Sequence, residues 1–279
     1  TCWHRAPSTG ASGTRAFRGQ DPAPGVKPVD ALAEKPGSMG LSVRDIRGEA
    51  IYSEVRMNRV AFDHVVNHEL YNVEGQLAFT EKHGSLKMPL GSIEVKASWR
   101  ILDSVKDRSI AHRYFKTKGV LQRDDGSKRV VTLGLTGMNI MVKVRDDWFW
   151  TAFEQVDNSA QTYDREFPRV MLAVRIDDRT QAVNAARRAR LAGTPWEHYR
   201  SNGAQIHFVG ADKKTPTYLT NTQQETRILK TSSCIGCHAY SAIGRIAGEP
   251  TRLFPLRTAH TDGTGTGFAG TPKAVEVQG

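Results

Sequence analysis

The chain reads as an α+β protein, an antiparallel β-sheet core followed by a mostly helical C-terminal part. Three observations predict this. Ile93, Val95, Ala97, Trp99 and Ile101 alternate without a break with Glu94, Lys96, Ser98 and Arg100, the two-residue period of a half-buried strand with one wet face. Aromatic and β-branched residues dominate Trp148 to Val156, a further strand. The period then lengthens, and Asp177 to Leu191 reads as a helix capped by Asp177 or Asp178 and stopped at Gly193.

In chain order, residues 1–38 are rich in Gly, Pro, Ser and Ala without an apolar period, which predicts a flexible arm or tether. Residues 39–170 are expected to form the sheet domain. It opens with a helix from Asn58 to Leu70, with Asn58 as N-cap and His64 and His68 on one face, two surface histidines without a third metal ligand in sequence. Ile110 to Gln122 reads as a second strand, Asp125-Gly126 as a tight turn, and Arg129 to Val144 as a long third strand. Gly134 and Gly137 interrupt that strand and predict a bulge or a close backbone approach. Residues 171–250 are expected to be helical, with a short helix from Pro195 to Tyr199, helical residues from Asn221 to Lys230 and helix on both sides of Cys234 to His238. Residues 251–279 dissolve into a Thr- and Gly-rich tail.

Cys234, Cys237 and His238 form C-x-x-C-H, the pattern of covalent haem c attachment. Two thiols on one local turn can each add to a porphyrin vinyl group, and the adjacent His then lies under the iron as proximal ligand. A chance occurrence in a chain of this length and composition has odds of roughly one in a thousand. A zinc site would need a second ligand pair, and no second C-x-x-C exists. A thioredoxin-like pair would follow a buried strand, whereas Asn221 to Lys230 reads as helix. The expected cofactor is one covalent haem c with its iron, and residues 171–250 are the expected haem-bearing part.

Thioether attachment takes place on the oxidising side of a membrane, so the motif implies a periplasmic or otherwise exported protein. Cys2 has no evident partner and reads as an unpaired tail thiol; a lipid anchor on it is the lesser reading, because Thr1 fits poorly before a lipoprotein cleavage point. No apolar run is long enough to span a membrane as a helix. The formal charge of +10 favours an acidic redox partner or an anionic surface. Nucleic acid is disfavoured, because the basic residues are scattered and not interleaved with aromatics.

The sixth iron position has several candidates. Met88 precedes Pro89 in SLKMPLG, Met141 shares a strand face with Asn139, Met138 points the other way, and His207 lies in the apolar run QIHFV. An open or water-occupied site is the remaining choice. Trp148, Trp150 and Phe153 are candidates to wall a haem or to form sheet core. Glu154, Asp157 and Asn158 need hydrogen-bond partners if buried, and haem propionates or the haem-loop backbone would serve.

Six stretches carry a resemblance: NRVAFDHVVNHELYNVEGQ from Asn58, GSIEVKASWRIL from Gly91, GLTGMNIMVK from Gly134, WFWTAFEQVDN from Trp148, LAGTPWEHYR from Leu191 and LTNTQQETRILKTSSCIGCHAYSAIG from Leu219. Together they resemble a little-characterised family of large bacterial monohaem c-type cytochromes with a C-terminal C-x-x-C-H. The resemblance implies haem binding and electron transfer, without a substrate. It also marks a departure: the positions of Asn139 and Gln155 are often His in that family, so an iron ligand supplied there would be missing here. Electron transfer is the preferred function. The alternatives are a haem enzyme or gas or redox sensor with an open sixth site, in which Asn139 or Gln155 would be the polar distal residue, and a haem-bearing subunit of a larger respiratory assembly.

Overall fold

The computed structural model describes residues 3–5, 26–28, 43–45, 51–122, 127–158, 162–164, 176–210, 212–224, 233–238, 242–246 and 249–253. Its centre is an eight-stranded sheet. The strands are β1 (Trp3–Arg5), β2 (Val26–Pro28), β4 (Ile51–Asn58), β5 (Ile93–Ile101), β6 (Lys116–Gln122), β7 (Lys128–Lys143), β8 (Trp148–Gln155) and β10 (Tyr199–Gln205). Every pairing is antiparallel except β2 with β6. Smaller pairs join β3 (Val43–Asp45) to β9 (Thr162–Asp164) and β11 (Ala242–Ile246) to β12 (Glu249–Leu253).

The 16-residue strand β7 organises the sheet. One edge runs along β5; the other is shared, its first half with β6 and its second half with β8. The change of partner coincides with the glycines. Ser98 lies opposite Gly137 but Trp99 opposite Leu135, so Thr136 is an extra residue, a β-bulge that reverses which face successive side chains occupy. Asn158 donates to the Thr136 carbonyl at 2.6 Å and holds the bulge. The predicted close approach is present too. A Cβ on Gly137 would lie 2.9 Å from the Asn221 side chain, and one on Gly134 would lie 2.9 Å from that of Leu102.

The first helix, α1 (Arg59–Asn67), begins where its cap predicts. The Asn58 carboxamide accepts from Ala61 N–H at 3.1 Å and also from Ile93 N–H at 3.1 Å, and it donates to the Gly91 carbonyl, tying the helix start to β5. A second helix, α2 (Val73–His83), is an element the periodicity reading missed. Its signals are local, an Asn72 side chain that caps Gly75 N–H and a stop at Gly84 with φ of 78°. Helix α3 (Asp178–Arg190) is capped by Asp177, and a 3-10 turn, Pro195–His198, leads into β10.

The expected helical haem-bearing part is not what forms. Between residues 171 and 250 the described residues contain α3, one helical turn, α4 (Cys234–His238), strand β10 and the β11–β12 hairpin. The reason is the free edge of β8. Tyr199–Gln205 pairs with it and satisfies backbone groups that helix formation would have left bare. Thr222–Gln224 forms a turn, not a helix, and residues 225–232 lie outside the described residues, as do Asp125 and Gly126. Of the segment 110–122, the first part is a 3-10 turn (Ala111–Arg113) and the strand begins at Lys116.

The expected wet face of β5 is covered as well. Ser98 and Arg100 are fully buried, and the Arg100 guanidinium meets the Asp107 carboxylate at 3.0 Å. An unpaired buried guanidinium would be prohibitively costly, so the 102–107 loop supplies the counter-charge.

Candidate functional site

The two sheet faces carry different clusters. On one face Tyr52, Ala97, Trp99, Val131, Leu133, Leu135 and Tyr199 pack together, with Met138 and Trp196 against them. On the other, Met141, Trp148, Trp150, Ala152 and Leu219 form a second cluster, and Met88, Cys234 and Ile235 pack onto it. Register explains the second set. Met141 lies opposite Trp150 and Asn139 opposite Ala152, so these residues share a face. Phe153 lies opposite Met138 and belongs to the first face; its ring packs under the Arg187 guanidinium, 5.6 Å away, so Phe153 does not wall the candidate site.

Cys234, Ile235 and His238 are held on the second face by specific bonds. Leu219 and Ser233 form a parallel bridge just before α4. Ile235 N–H donates to Gln205 Oε1 at 3.1 Å, while Gln205 Nε2 donates to Thr217 Oγ1 at 2.6 Å. The Cys234 thiol donates to the Leu219 carbonyl at 3.4 Å; a thioether at this sulfur would replace a weak donor with an apolar link. The His238 ring lies 4.5 Å from that of Trp150. Crowding by protein atoms and then the Lys96 charge push its pKa down to about 4. The residue as a whole is exposed, and both effects favour the neutral imidazole, able to offer a lone pair.

The segment upstream of the motif is fixed by a buried polar network. Asn139 donates to Gln224 at 3.0 Å and accepts from Asn221 at 3.3 Å; Asn221 also donates to the Phe153 carbonyl, and Gln224 to the Lys96 carbonyl at 2.9 Å. Glu154, fully buried, accepts from Thr222 N–H and meets Arg200 at 3.4 Å. Burial raises its pKa, and the Thr222 bond and the Arg200 charge oppose that only in part. Asn202 donates to the Thr220 carbonyl. Every hydrogen bond in this set except that between Glu154 and Arg200 has one partner in the polar run Thr220 to Gln224, of which Asn221 onward reads as helix when its residues are taken one by one. Only the pattern TNTQQ, five side chains able to bond a sheet from a non-helical backbone, signals otherwise.

Of the sequence candidates, Met88, Met141, Trp148, Trp150, Cys234 and His238 are brought to one face, and Glu154 fastens the backbone at Thr222, upstream of the C-x-x-C-H turn. Asp157 instead pairs with Arg113 at 2.8 Å. His207 is exposed beyond β10. Gln155 is buried and bonds Asp157, and Asn139 is committed to the polar network. His64 and His68 lie edge to face, 4.8 Å between ring centroids, and no group of three metal-binding side chains occurs among the described residues. The side chain of Cys237 lies outside what is described.

These residues fit a covalent haem in the chemistry of their donors. There is a neutral imidazole in a C-x-x-C-H turn, two thioethers, and an apolar wall in which the indole nitrogens of Trp148 and Trp150 are buried without acceptors among the described residues. Among the described residues no helix is long and apolar enough to cross a membrane. In comparisons with protein-family models, curated proteins and solved structures, the chain matches none.

Proposed function

We propose that the chain is an exported monohaem c-type cytochrome, with haem attached at Cys234 and Cys237, His238 as proximal iron ligand, and electron transfer to an acidic redox partner as its role. The observation that carries this reading is the seating of the C-x-x-C-H turn on a cluster of two tryptophans and two methionines. The resemblance to large bacterial monohaem cytochromes points the same way. When bound, the haem would supply one-electron chemistry; His238 and a thioether from Met88 or Met141 would hold the iron, and the tryptophans would form an apolar wall. Two sulfur donors packed where the motif sits favour a closed, six-coordinate iron over an open site, and hence a carrier over an enzyme or sensor. The +10 charge would speed encounter with an acidic partner.

Mass spectrometry of the exported, denatured protein tests the attachment: the polypeptide should carry the added mass of one haem, and a bare chain with free thiols would overturn the reading. Carbon monoxide tests the role. It should bind the reduced protein poorly, and rapidly after Met88→Ala or Met141→Ala, whichever removes the true ligand. Rapid binding to the unmutated protein would replace the carrier by the open-site alternative.

A further inference from the structure

Leu90, Val144 and Val60 are 65%, 59% and 41% exposed and share one end of the sheet. The β5–β7 ladder continues there: Lys143 N–H donates to the Ser92 carbonyl at 2.9 Å and Gly91 N–H to the Lys143 carbonyl at 2.8 Å, so Leu90 and Val144 end adjacent strands. Asn58 donates to the Gly91 carbonyl at 2.7 Å and brings the first turn of α1, with Arg59 and Val60, to the same end. Leu90 is held in place. Ser92 N–H donates to the Pro89 carbonyl at 3.1 Å and Gly91 has φ of 84°, a β-turn with Leu90 at its corner. A single exposed apolar side chain needs no explanation, but three at one sheet end, one of them on a fixed turn, make a contact surface.

The rim is basic. Lys87 and Arg145 are exposed, and neither has a carboxylate in ion-pair range among the described residues. The acids at this end are engaged: Asp63 pairs with Arg59 at 2.7 Å, and Asp146 and Asp147 bear on Lys143. A second copy of the chain would set Lys87, Arg145 and a charge of +10 against themselves, so the occupant that fits is acidic.

The surface also borders the candidate site. Met88, two residues before Leu90, and Cys234 both pack onto the second cluster, and Lys143, next to Val144, lies opposite Trp148 of that cluster. We propose that Leu90, Val144 and Val60, rimmed by Lys87 and Arg145, are the docking surface for an acidic redox protein, an apolar centre with a charged edge. The redox part of this assignment rests on the haem c reading of Cys234, Cys237 and His238.

The test uses the ¹³C-methyl-labelled holoprotein, with flavodoxin, a small acidic one-electron protein, as probe. At low salt the methyl signals of Leu90, Val144 and Val60 should shift as flavodoxin is added, and those of Val183, exposed on α3, should not. Lys87→Glu and Arg145→Glu should each raise the dissociation constant about threefold or more, as reversal of a rim charge does, and should slow reduction by flavodoxin hydroquinone to match. Arg188→Glu on α3 changes the net charge equally and should do far less. Leu90→Ser should weaken binding even at high salt, where the charges are screened. Shifts centred on another surface, or equal losses from Arg188→Glu and Lys87→Glu, would overturn the docking assignment and leave haem attachment intact. Sedimentation with phosphatidylglycerol vesicles covers the other anionic surface: vesicle binding lost on Lys87→Glu, with flavodoxin unaffected, would give the patch to a membrane and overturn the protein partner. An exported protein without the mass of a haem would instead overturn the redox reading beneath the proposal.

Discussion

The two faces of the central sheet bury aromatic residues to the same depth but leave their polar atoms in opposite states. On the first face those of Trp99 and Tyr199 are paired. The Tyr199 hydroxyl donates to the Leu135 carbonyl at 2.8 Å and accepts from Phe115 N–H at 2.9 Å, and Trp99 donates to Glu54. On the second face two indoles have no acceptor among the described residues, two methionines join the same cluster, and the His238 ring lies beside that of Trp150. A core is finished when its polar groups are satisfied within the chain; a site is a place where they are kept for something else. Depth of burial alone does not separate the two.

The sharpest way to divide the faces is to remove the link between the second one and its proposed cofactor. Cys234→Ala combined with Cys237→Ala should abolish covalent haem completely, read as the loss of haem mass, while the first face keeps its packing. Next in size, Leu133→Ala opens a hole in the first face, where the side chain is 1% exposed. It should cost about 2–5 kcal/mol in chemical denaturation. The shape of the haem spectrum should be unaffected.

A subtler effect belongs to Glu154, the buried carboxyl that accepts from Thr222 N–H upstream of the C-x-x-C-H turn. Its folded-state pKa is raised above the ordinary 4.5, so folding favours the protonated form. That contribution to stability is fully present below the unfolded pKa and is lost as pH rises through the folded one. Glu154→Gln removes the titration. Stability of the variant relative to the unmutated protein should therefore increase with pH from about 4.5 upward, in denaturation curves taken across that window. A parallel pH dependence of the two proteins would show that Glu154 does not titrate there. The smallest effect is expected at the Arg59–Asp63 pair on α1, where both side chains are exposed. Asp63→Asn should change stability by about 0.5 kcal/mol or less, and less still at high salt.

What the sequence by itself determined is local. β5 and the second helix of the expected scheme, α3, have the bounds that period and caps predict, because side-chain alternation and an Asp177 cap act within a few residues. The C-x-x-C-H pattern of Cys234, Cys237 and His238 is likewise a local signal, and the haem attachment drawn from it is our proposal. The bulge beside Gly137 was legible as an interruption, though its partner Asn221, 84 positions along the chain, was not. Tertiary structure decided everything that depends on which edge or face is left uncovered. Tyr199–Gln205 became a strand because β8 needed a neighbour; Asn221–Gln224 left the expected helix because buried Asn139 and Glu154 needed partners. Met88 and Met141, 53 residues apart, joined one cluster; the pairing of β7 with β8 set Met141 opposite Trp150. Local patterns reward a backbone conformation; only the closed sheet reveals which hydrogen-bonding groups that conformation would have left bare.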